Sequence, residues 1–140
     1  VGMGPGPFTG LRVGIAFART FALSREIPVI GICSLDAIAG LHKEAEFIIA
    51  TDARRKEIYW ARYINGVRVG EPTVSLPSEL AAPSTPVFGE GAIKYNLSSH
   101  HEGAYPDPAL LVTIAENSAG HISEPMYLRR PDAVPTAERA

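Results

Sequence analysis

Gly4-Pro-Gly-Pro-Phe-Thr-Gly-Leu-Arg-Val-Gly14 is a glycine- and proline-rich loop that leads directly into a helical pattern. Thr9 is placed to act as the N-cap of that helix, because its hydroxyl can accept from the free amides of the first turn. We therefore predict a helix over residues 10 to about 23. A loop before a helix N-terminus can bind phosphate, but proline removes amide donors and no Walker lysine follows. A structural turn is therefore favoured over a phosphate cradle.

The predicted helix is apolar nearly all round. One stripe consists of Leu11, Ile15, Ala18 and Ala22, and most of the remaining surface is covered by Val13, Phe17 and Phe21. This pattern predicts a helix that is buried on more than one side. Small residues also recur at every fourth position, which gives a strip along which a second helix could approach closely. The candidate interface residues are Gly10, Leu11, Gly14, Ile15, Ala18 and Ala22.

The composition indicates a globular protein with a real hydrophobic core. The chain has 140 residues, of which 46% are hydrophobic, and a formal net charge of -2. A slightly acidic protein lacks the basic surface that usually meets nucleic acid, so autonomous binding of nucleic acid is disfavoured. Cys33 is the single cysteine, which excludes an internal disulfide and fits a reducing cytoplasm. No membrane span and no signal peptide are predicted, and the start at Val1, inside an apparent strand end, predicts a truncated chain.

The first 43 residues are expected to be the remainder of an N-terminal α/β subdomain. Residues 27–33 predict a short buried strand, and Ser34 is expected to cap a second helix that carries Leu35, Ile38, Ala39 and Leu41. Strand, helix, strand and helix in this order indicate a right-handed crossover in a largely parallel sheet.

Residues 44–124 predict a C-terminal α/β subdomain, followed by an extended tail over residues 125–140. Two strands, 47–52 and 57–64, flank a charged turn, and Asn65-Gly66 predicts a hairpin into a third strand over 67–76. In the middle strand Ile58 and Trp60 alternate with Tyr59, Ala61 and Tyr63, which predicts a central strand covered on both faces.

The second half ends in a further strand and a helix. Residues 86–89 predict a short strand that ends in a tight turn at Gly89 and Gly91. Asp107 before Pro108 predicts the start of a helix that ends at Gly120. The buried face of this helix is expected to consist of Leu110, Leu111, Ile114 and Ala115.

The opening stretch resembles the GPGSFTGLRIG signature of the TsaB (YeaZ) family, the partner subunit in bacterial threonylcarbamoyladenosine synthesis. Three further segments are similar to that family in the same order. Residues 32–37 resemble its strand-to-helix junction, residues 52–59 its DARRGEVY hairpin, and residues 125–129 its PxYLR motif. Pro7 stands where the family usually has Ser, and Lys56 where the turn usually has Gly.

The resemblance implies the fold of actin and the sugar kinases, two α/β subdomains across a cleft, with the first β-β-β-α unit missing. It further implies a non-catalytic subunit that binds and activates a TsaD-type enzyme, which forms threonylcarbamoyladenosine next to the anticodon of ANN-decoding tRNAs. A TsaE-type ATPase is a further implied partner, a homodimer is an option, and tRNA is reached only through the complex. No bound cofactor is expected, although ATP at a partner interface stays open.

No residue is predicted to be catalytic or to bind a metal. The catalytic relatives hold a metal with two histidines one helical turn apart, and His42, His100, His101 and His121 lack that spacing, so solvated loop histidines are predicted. By analogy with ATPases of the same fold, four residues are candidates for a position near a nucleotide: Asp52, Arg54, Gly89 and Gly91.

The favoured alternative for Asp52 is a turn aspartate paired with Arg54 or Lys56. Two other functions remain open beside the partner subunit. One is an ATPase or small-molecule kinase of the actin-like fold that acts alone, and the other, weaker, is a free-standing tRNA-binding module.

Overall fold

The computed structural model describes residues 1–80, 84–97, 105–117 and 121–129. Within these ranges, no helix is both long and apolar enough to cross a membrane. The helices are α1 (Phe8–Arg25), α2 (Ser34–Ala39), α3 (Glu90–Lys94) and α4 (Pro108–Glu116), with a 3₁₀ turn at Pro77–Glu79. The strands are β1 (Glu46–Asp52), β2 (Ile58–Ile64), β3 (Val67–Ser75) and β4 (Val87–Phe88).

Helix α1 begins earlier than the sequence predicted. Pro7 precedes its first residue, and the Leu11 amide donates to the Pro7 carbonyl at 2.9 Å. Thr9 lies inside the first turn, so the prediction that it caps the helix is wrong. Proline suits this end of a helix because its fixed φ is pre-set and its missing amide would have had no helical partner.

The chain itself covers only one side of α1. Ile15 and Ala22 are buried, whereas Phe17 is 72% exposed and Val13 is 64% exposed. The prediction of burial on more than one side is therefore wrong for the described chain. The first of the two predicted stripes packs inward, and the second faces solvent.

Three extended segments, near residues 1–3, 31–33 and 121–126, are joined by backbone hydrogen bonds. The Met3 amide donates to the Ile32 carbonyl at 2.8 Å and the Ile32 amide to the Val1 carbonyl at 2.9 Å, which is a parallel pairing. A regular strand over residues 27–33 was predicted, but the described structure has only a single bridge, between Gly2 and Ile32. Pro28, which has no amide to donate, helps explain the shorter pairing.

The third extended segment belongs to the C-terminal part of the chain. The Ile122 amide donates to the Gly31 carbonyl at 2.8 Å, and the Met126 amide donates to the Met3 carbonyl at 2.7 Å. Residues 121–129 are thus hydrogen-bonded to the first two extended segments, and we call them the C-terminal strap.

A mixed sheet with the order β3-β2-β1-β4 forms the second half. Strand β1 pairs antiparallel with β2 and parallel with β4, and β2 pairs antiparallel with β3. Asn65 and Gly66 both have positive φ, 50° and 76°, which is the backbone that the predicted two-residue hairpin requires.

The two faces of β2 are covered as predicted. Ile58 packs into a cluster with Ile48, Ala50, Val87 and Ala92, against which Trp60 also packs. Ala61 and Tyr63 belong to a second cluster on the opposite face, together with Cys33, Leu35, Ile38, Phe47 and Phe88. This second cluster draws on residues from both predicted subdomains; the boundary near residue 43 remains a prediction.

Helix α2 begins at Ser34, and Cys33 is its N-cap, so the prediction that Ser34 caps it is wrong. Cys33 is fully buried, as predicted for a small apolar residue, and this burial raises the pKa of its thiol to about 11. A polar contact fixes the helix to the sheet, because Asp36 accepts from the Tyr63 hydroxyl at 2.7 Å and lies 3.1 Å from the Arg68 Nε atom. Burial and the Asp36 carboxylate together raise the pKa of Tyr63.

Helix α4 starts as the sequence predicted. The Asp107 carboxylate accepts from the Ala109 amide at 2.8 Å and caps the first turn. The helix ends at Glu116, before the predicted stop at Gly120, which lies outside the described residues. Its predicted apolar face is half-buried, consisting of Leu110, Leu111, Ile114 and Ala115.

Candidate functional site

A cavity of about 360 Å³ lies between the glycine- and proline-rich loop and the end of β1. One wall is formed by the loop and the first turns of α1, through Pro5, Gly6, Pro7, Gly10, Leu11 and Gly14. The opposite wall carries Thr51, Asp52 and Glu90. The fold thus brings three of the predicted interface residues to the same cavity as Asp52.

The loop is fixed by packing around Gly4. Its φ is 98°, and a Cβ atom there would lie 2.9 Å from the Leu11 Cδ2 atom and 3.0 Å from the Met126 carbonyl oxygen. The Gly4 carbonyl accepts from the Ser34 amide at 2.8 Å. Glycine is therefore required for close approach of the strap and α1, which agrees with the interpretation of the loop as a structural turn.

Asp52 is buried, with 8% exposure, and its carboxylate is fully engaged. It accepts from Lys94 Nζ at 2.7 Å, from the Tyr95 hydroxyl at 2.9 Å and from the Arg54 amide at 3.1 Å. The predicted pairing with Arg54 is present, with its largely exposed guanidinium 3.6 Å from the carboxylate, whereas the two closer side-chain partners, Lys94 and Tyr95, were not predicted. Burial alone would raise the pKa of Asp52, but the bonds from Lys94, Tyr95 and Arg54 outweigh it and leave the pKa below its usual value.

The wall beside Asp52 is acidic. Glu90 also lines the cavity, and its Oε1 accepts from the Asp52 amide at 3.4 Å. A phosphate there would face two carboxylates, while the cation beside them, Lys94, is already held by Asp52. The cavity is therefore poorly suited to a phosphate group.

Gly89 and Gly91 do not form the tight turn that was predicted. Gly89 directly follows β4, has a φ of 101° and is the N-cap of α3, while Gly91 lies within that helix. A Cβ atom on Gly89 would run into the Ala50 carbonyl oxygen, and one on Gly91 would lie 2.8 Å from the Thr51 carbonyl carbon. These glycines let α3 approach β1 closely; neither of them, nor Arg54, lines the cavity.

The histidines are spread over the molecule. His42 is stacked on Phe88, with ring centroids 4.0 Å apart, so its prediction as a solvated loop residue is wrong. His121 is exposed, and its Nδ1 atom accepts from the Gly31 amide at 3.3 Å. His100 and His101 lie outside the described residues. No group of three or more metal-ligating side chains occurs in the described part of the chain.

One exposed side of α1 is a stripe of apolar residues and glycines, which we call the phenylalanine face. It consists of Gly10, Val13, Gly14, Phe17 and Phe21. The rings of Phe17 and Phe21 stack at 6.2 Å with an interplanar angle of 16°. At Gly10 and Gly14 no atom lies within 4 Å of an added Cβ, so both positions are open.

The predicted interface residues divide between the two sides of α1. Gly10 and Gly14 are open, Leu11 and Ala18 are half-buried, and Ile15 and Ala22 are buried inside the chain. Every fourth residue advances by about 40° around a helix, so the small-residue strip winds from the open side to the packed side. Val13, Phe17 and Phe21 were predicted to be covered but are exposed, and their i, i+4 spacing places all three on one face of the helix.

The protein family described as TsaD, tRNA N6-adenosine threonylcarbamoyltransferase, matches residues 1–96. An uncharacterized protein of Mycobacterium leprae is 45% identical over 141 residues, which cover 96% of this chain and 38% of that protein. An uncharacterized protein of Mycobacterium tuberculosis is 45% identical over 143 residues, which cover 98% of this chain and 66% of that protein. The tRNA threonylcarbamoyladenosine biosynthesis protein TsaB of Escherichia coli is 43% identical over 79 residues, which cover 51% of this chain and 34% of that protein. The chain therefore spans between about a third and two thirds of these relatives.

Two solved structures from Pseudomonas aeruginosa share the fold. YeaZ superposes with a TM-score of 0.70 at 24% identity, covering 84% of this chain and 64% of its own. An uncharacterized protein with similarity to peptidase YeaZ superposes with a TM-score of 0.68 at 25% identity, covering 91% and 71%. The predicted fold class, a mixed α/β structure of the actin-like type, is confirmed.

Proposed function

The chain belongs to the TsaD family of tRNA N6-adenosine threonylcarbamoyltransferases as a TsaB/YeaZ-like protein, and we propose that it is a non-catalytic partner subunit. Its named relatives indicate involvement in tRNA threonylcarbamoyladenosine biosynthesis. In this proposal the chain binds and activates a TsaD-type catalytic subunit in the cytoplasm. A TsaE-type ATPase joins them, and tRNA is met only within the complex.

The phenylalanine face is the observation that carries the proposal. Phe17 and Phe21 are 72% and 48% exposed, and the open glycines beside them leave room for a neighbouring backbone. An exposed apolar stripe of this kind is typical of a protein interface, because it loses water on docking. A helix of the TsaD-type subunit would lie along α1, with its side chains over Gly10 and Gly14.

The engagement of Asp52 favours a partner subunit over an enzyme that acts alone. An ATPase or kinase of this fold would need a carboxylate available to a metal and nucleotide, and Asp52 is occupied by Lys94 and Tyr95. Turnover of ATP by the purified protein alone, lost in Asp52→Ala, would support the enzyme and count against the proposal.

Gly14→Leu tests the docking surface directly. Since no atom lies within 4 Å of an added Cβ, the leucine can be accommodated in the isolated chain, and it is also a better helix former than glycine. We expect at least a tenfold loss of affinity for the TsaD-type subunit, measured by sedimentation or calorimetry, with an unchanged melting temperature. Ala16→Leu is the matched control, because residue 16 is exposed on α1 but roughly 160° around the helix from residue 14.

The outcomes separate the candidate occupants of the face. Unchanged binding to the TsaD-type subunit by Gly14→Leu would overturn the assigned surface, and loss of self-association alone would indicate a homodimer instead. Reconstitution with the TsaD-type subunit, the TsaE-type ATPase, threonylcarbamoyl-adenylate and tRNA tests the function itself. Modified adenosine should form only when the protein is present, and formation without it would overturn the proposal.

A further inference from the structure

The cavity beside Asp52 has mainly apolar walls and a volume of about 360 Å³, which lies in the range of ligand-binding pockets. Its apolar side chains belong to the loop, α1 and α2, and include Pro5, Pro7, Leu11 and Ile38. The polar side chains that line it are Ser34, Thr51, Asp52, Glu90 and Tyr105. The two of these that are charged at neutral pH are both acids. An occupant of the cavity therefore needs an apolar body and a polar end that tolerates carboxylates.

Glu90 is the acid at the cavity that lacks a cation. Asp52 binds Lys94 Nζ at 2.7 Å and has the Arg54 guanidinium 3.6 Å away. Glu90 is half-buried, forms no ion pair with any described residue, and accepts only the long bond of 3.4 Å from the Asp52 amide. Val1 also lines the cavity, and its amino group donates to a backbone carbonyl at 2.8 Å. A half-buried carboxylate in this position favours a cationic occupant.

A second polar group at the cavity has no partner. The Thr51 Oγ1 atom is buried and makes no hydrogen bond within the described part of the chain, although Thr51 lines the cavity. Buried polar atoms are normally hydrogen-bonded, so an unpaired one calls for an explanation. Rotation to another staggered rotamer exchanges the positions of a threonine hydroxyl and methyl group. The Thr51 hydroxyl can thus turn toward an occupant without losing an existing bond.

The cavity reaches the surface beside the phenylalanine face. Gly10 and Gly14 line the cavity and also belong to that face, and both are exposed. At neither position does any atom lie within 4 Å of an added Cβ, so no side chain closes the cavity there. A helix that docks along α1 therefore runs past the mouth of the cavity, where its side chains can enter.

We propose that a lysine or arginine side chain of the TsaD-type subunit enters this cavity and is bound there by Glu90 and Thr51. This inference rests on the proposed function, in which a helix of that subunit lies along α1. The aliphatic stem contacts Pro7 and Leu11, and the cationic head donates to the Glu90 carboxylate and the Thr51 hydroxyl. Glu90 then contributes to the choice of partner, because a helix without a basic side chain at this point would leave the carboxylate unpaired.

Glu90→Gln in the full-length protein is the first test. Glutamine keeps an oxygen that can accept from the Asp52 amide and removes the charge. We expect roughly a 10- to 100-fold loss of affinity for the TsaD-type subunit, mainly through faster dissociation, because a charged hydrogen bond is lost. The melting temperature of the variant alone should stay close to that of wild type. Glu44→Gln is the charge-matched control, since Glu44 is exposed and precedes the opposite end of β1.

Thr51→Val is the second test, and it should move stability and binding in opposite directions. Valine has a similar shape and suits a strand, and the hydroxyl that it removes has no partner among the described residues. The isolated variant should therefore melt at or above the wild-type temperature. Its affinity for the TsaD-type subunit should nevertheless fall about 2- to 10-fold, because one hydrogen bond of the complex is lost. A structural role alone would not give this pair of results.

Unchanged affinity of Glu90→Gln would overturn the inference, and unchanged affinity of Thr51→Val would overturn the role of that hydroxyl. A loss confined to the association rate that disappears at high salt would also overturn the inference, since it would indicate a long-range field. Loss of self-association alone would assign the cavity to a second copy of the chain. Unchanged partner affinity together with a melting temperature that n-butylamine raises in wild type, but not in Glu90→Gln, would assign it to a free amine.

The inference and the proposed function can fail separately. If Gly14→Leu weakens binding to the TsaD-type subunit and both cavity variants bind like wild type, the inference fails and the docking surface stands. If the wild-type protein does not bind the TsaD-type subunit, the proposed function fails as well.

Discussion

Phe17→Ala should weaken binding to a TsaD-type subunit by roughly 30- to 150-fold. Phe17 leaves 72% of its surface exposed. For an aromatic side chain that is ~140 Å², or about 3.5 kcal/mol on complete burial at ~25 cal/mol per Å². Alanine would retain about a quarter of this, so the expected loss is about 2–3 kcal/mol, which gives the stated change in Kd.

The fold should survive this substitution. The Phe17 ring makes its stacking contact with Phe21 at 6.2 Å, so the isolated chain should lose no more than about 1 kcal/mol. Calorimetry with the TsaD-type subunit would give the Kd, and thermal melting would give the stability. Val112→Ala is the control, because Val112 is 57% exposed on α4, away from the phenylalanine face. A Kd within about twofold of wild type, or an equal loss with Val112→Ala, would refute the assignment.

Gly89→Ala should lower the free energy of unfolding by about 2–5 kcal/mol, because a Cβ at φ 101° collides with the Ala50 carbonyl oxygen. Gly66→Ala, at an open position with φ 76°, should cost clearly less, and equal melting temperatures for the two variants would contradict the close approach of α3 to β1. Asp52→Asn should cost about 1–3 kcal/mol near neutral pH through lost charged hydrogen bonds. Since the folded pKa of Asp52 is lowered, its contribution is present above the unfolded pKa of about 3.9 and is lost as the pH falls through the folded pKa. The difference in melting temperature between wild type and Asp52→Asn should therefore shrink in acid, and a constant difference would contradict the assigned contacts.

Short-range sequence patterns predicted the helices and strands better than they predicted the tertiary contacts around them. The alternation in β2 and the Asn65-Gly66 turn were sufficient for the hairpin, because period and turn chemistry act over a few residues. The pattern in α1 predicted a helix, but it could not show which apolar stripe the chain itself would cover. That depends on tertiary contacts and on partners.

The candidate site was less predictable for the same reason. The main partners of Asp52 are 42 and 43 residues away, on and just after α3, and no spacing rule links them to a turn aspartate. Arg129 reaches Ala53 across 76 residues. The resemblance to the TsaB family singled out residues 52–59 and residues 125–129. Only the folded chain shows that Arg129 of the second segment donates to the Ala53 carbonyl of the first.

Cys33 makes this chain convenient for spectroscopy. It is the single cysteine of the sequence, it is fully buried, and its raised pKa of about 11 leaves almost no reactive thiolate at neutral pH. A cysteine introduced at an exposed position on α1, such as residue 16, would therefore be modified selectively by maleimide reagents. A fluorophore attached there would report the approach of a second subunit by energy transfer, with the natural cysteine left in place.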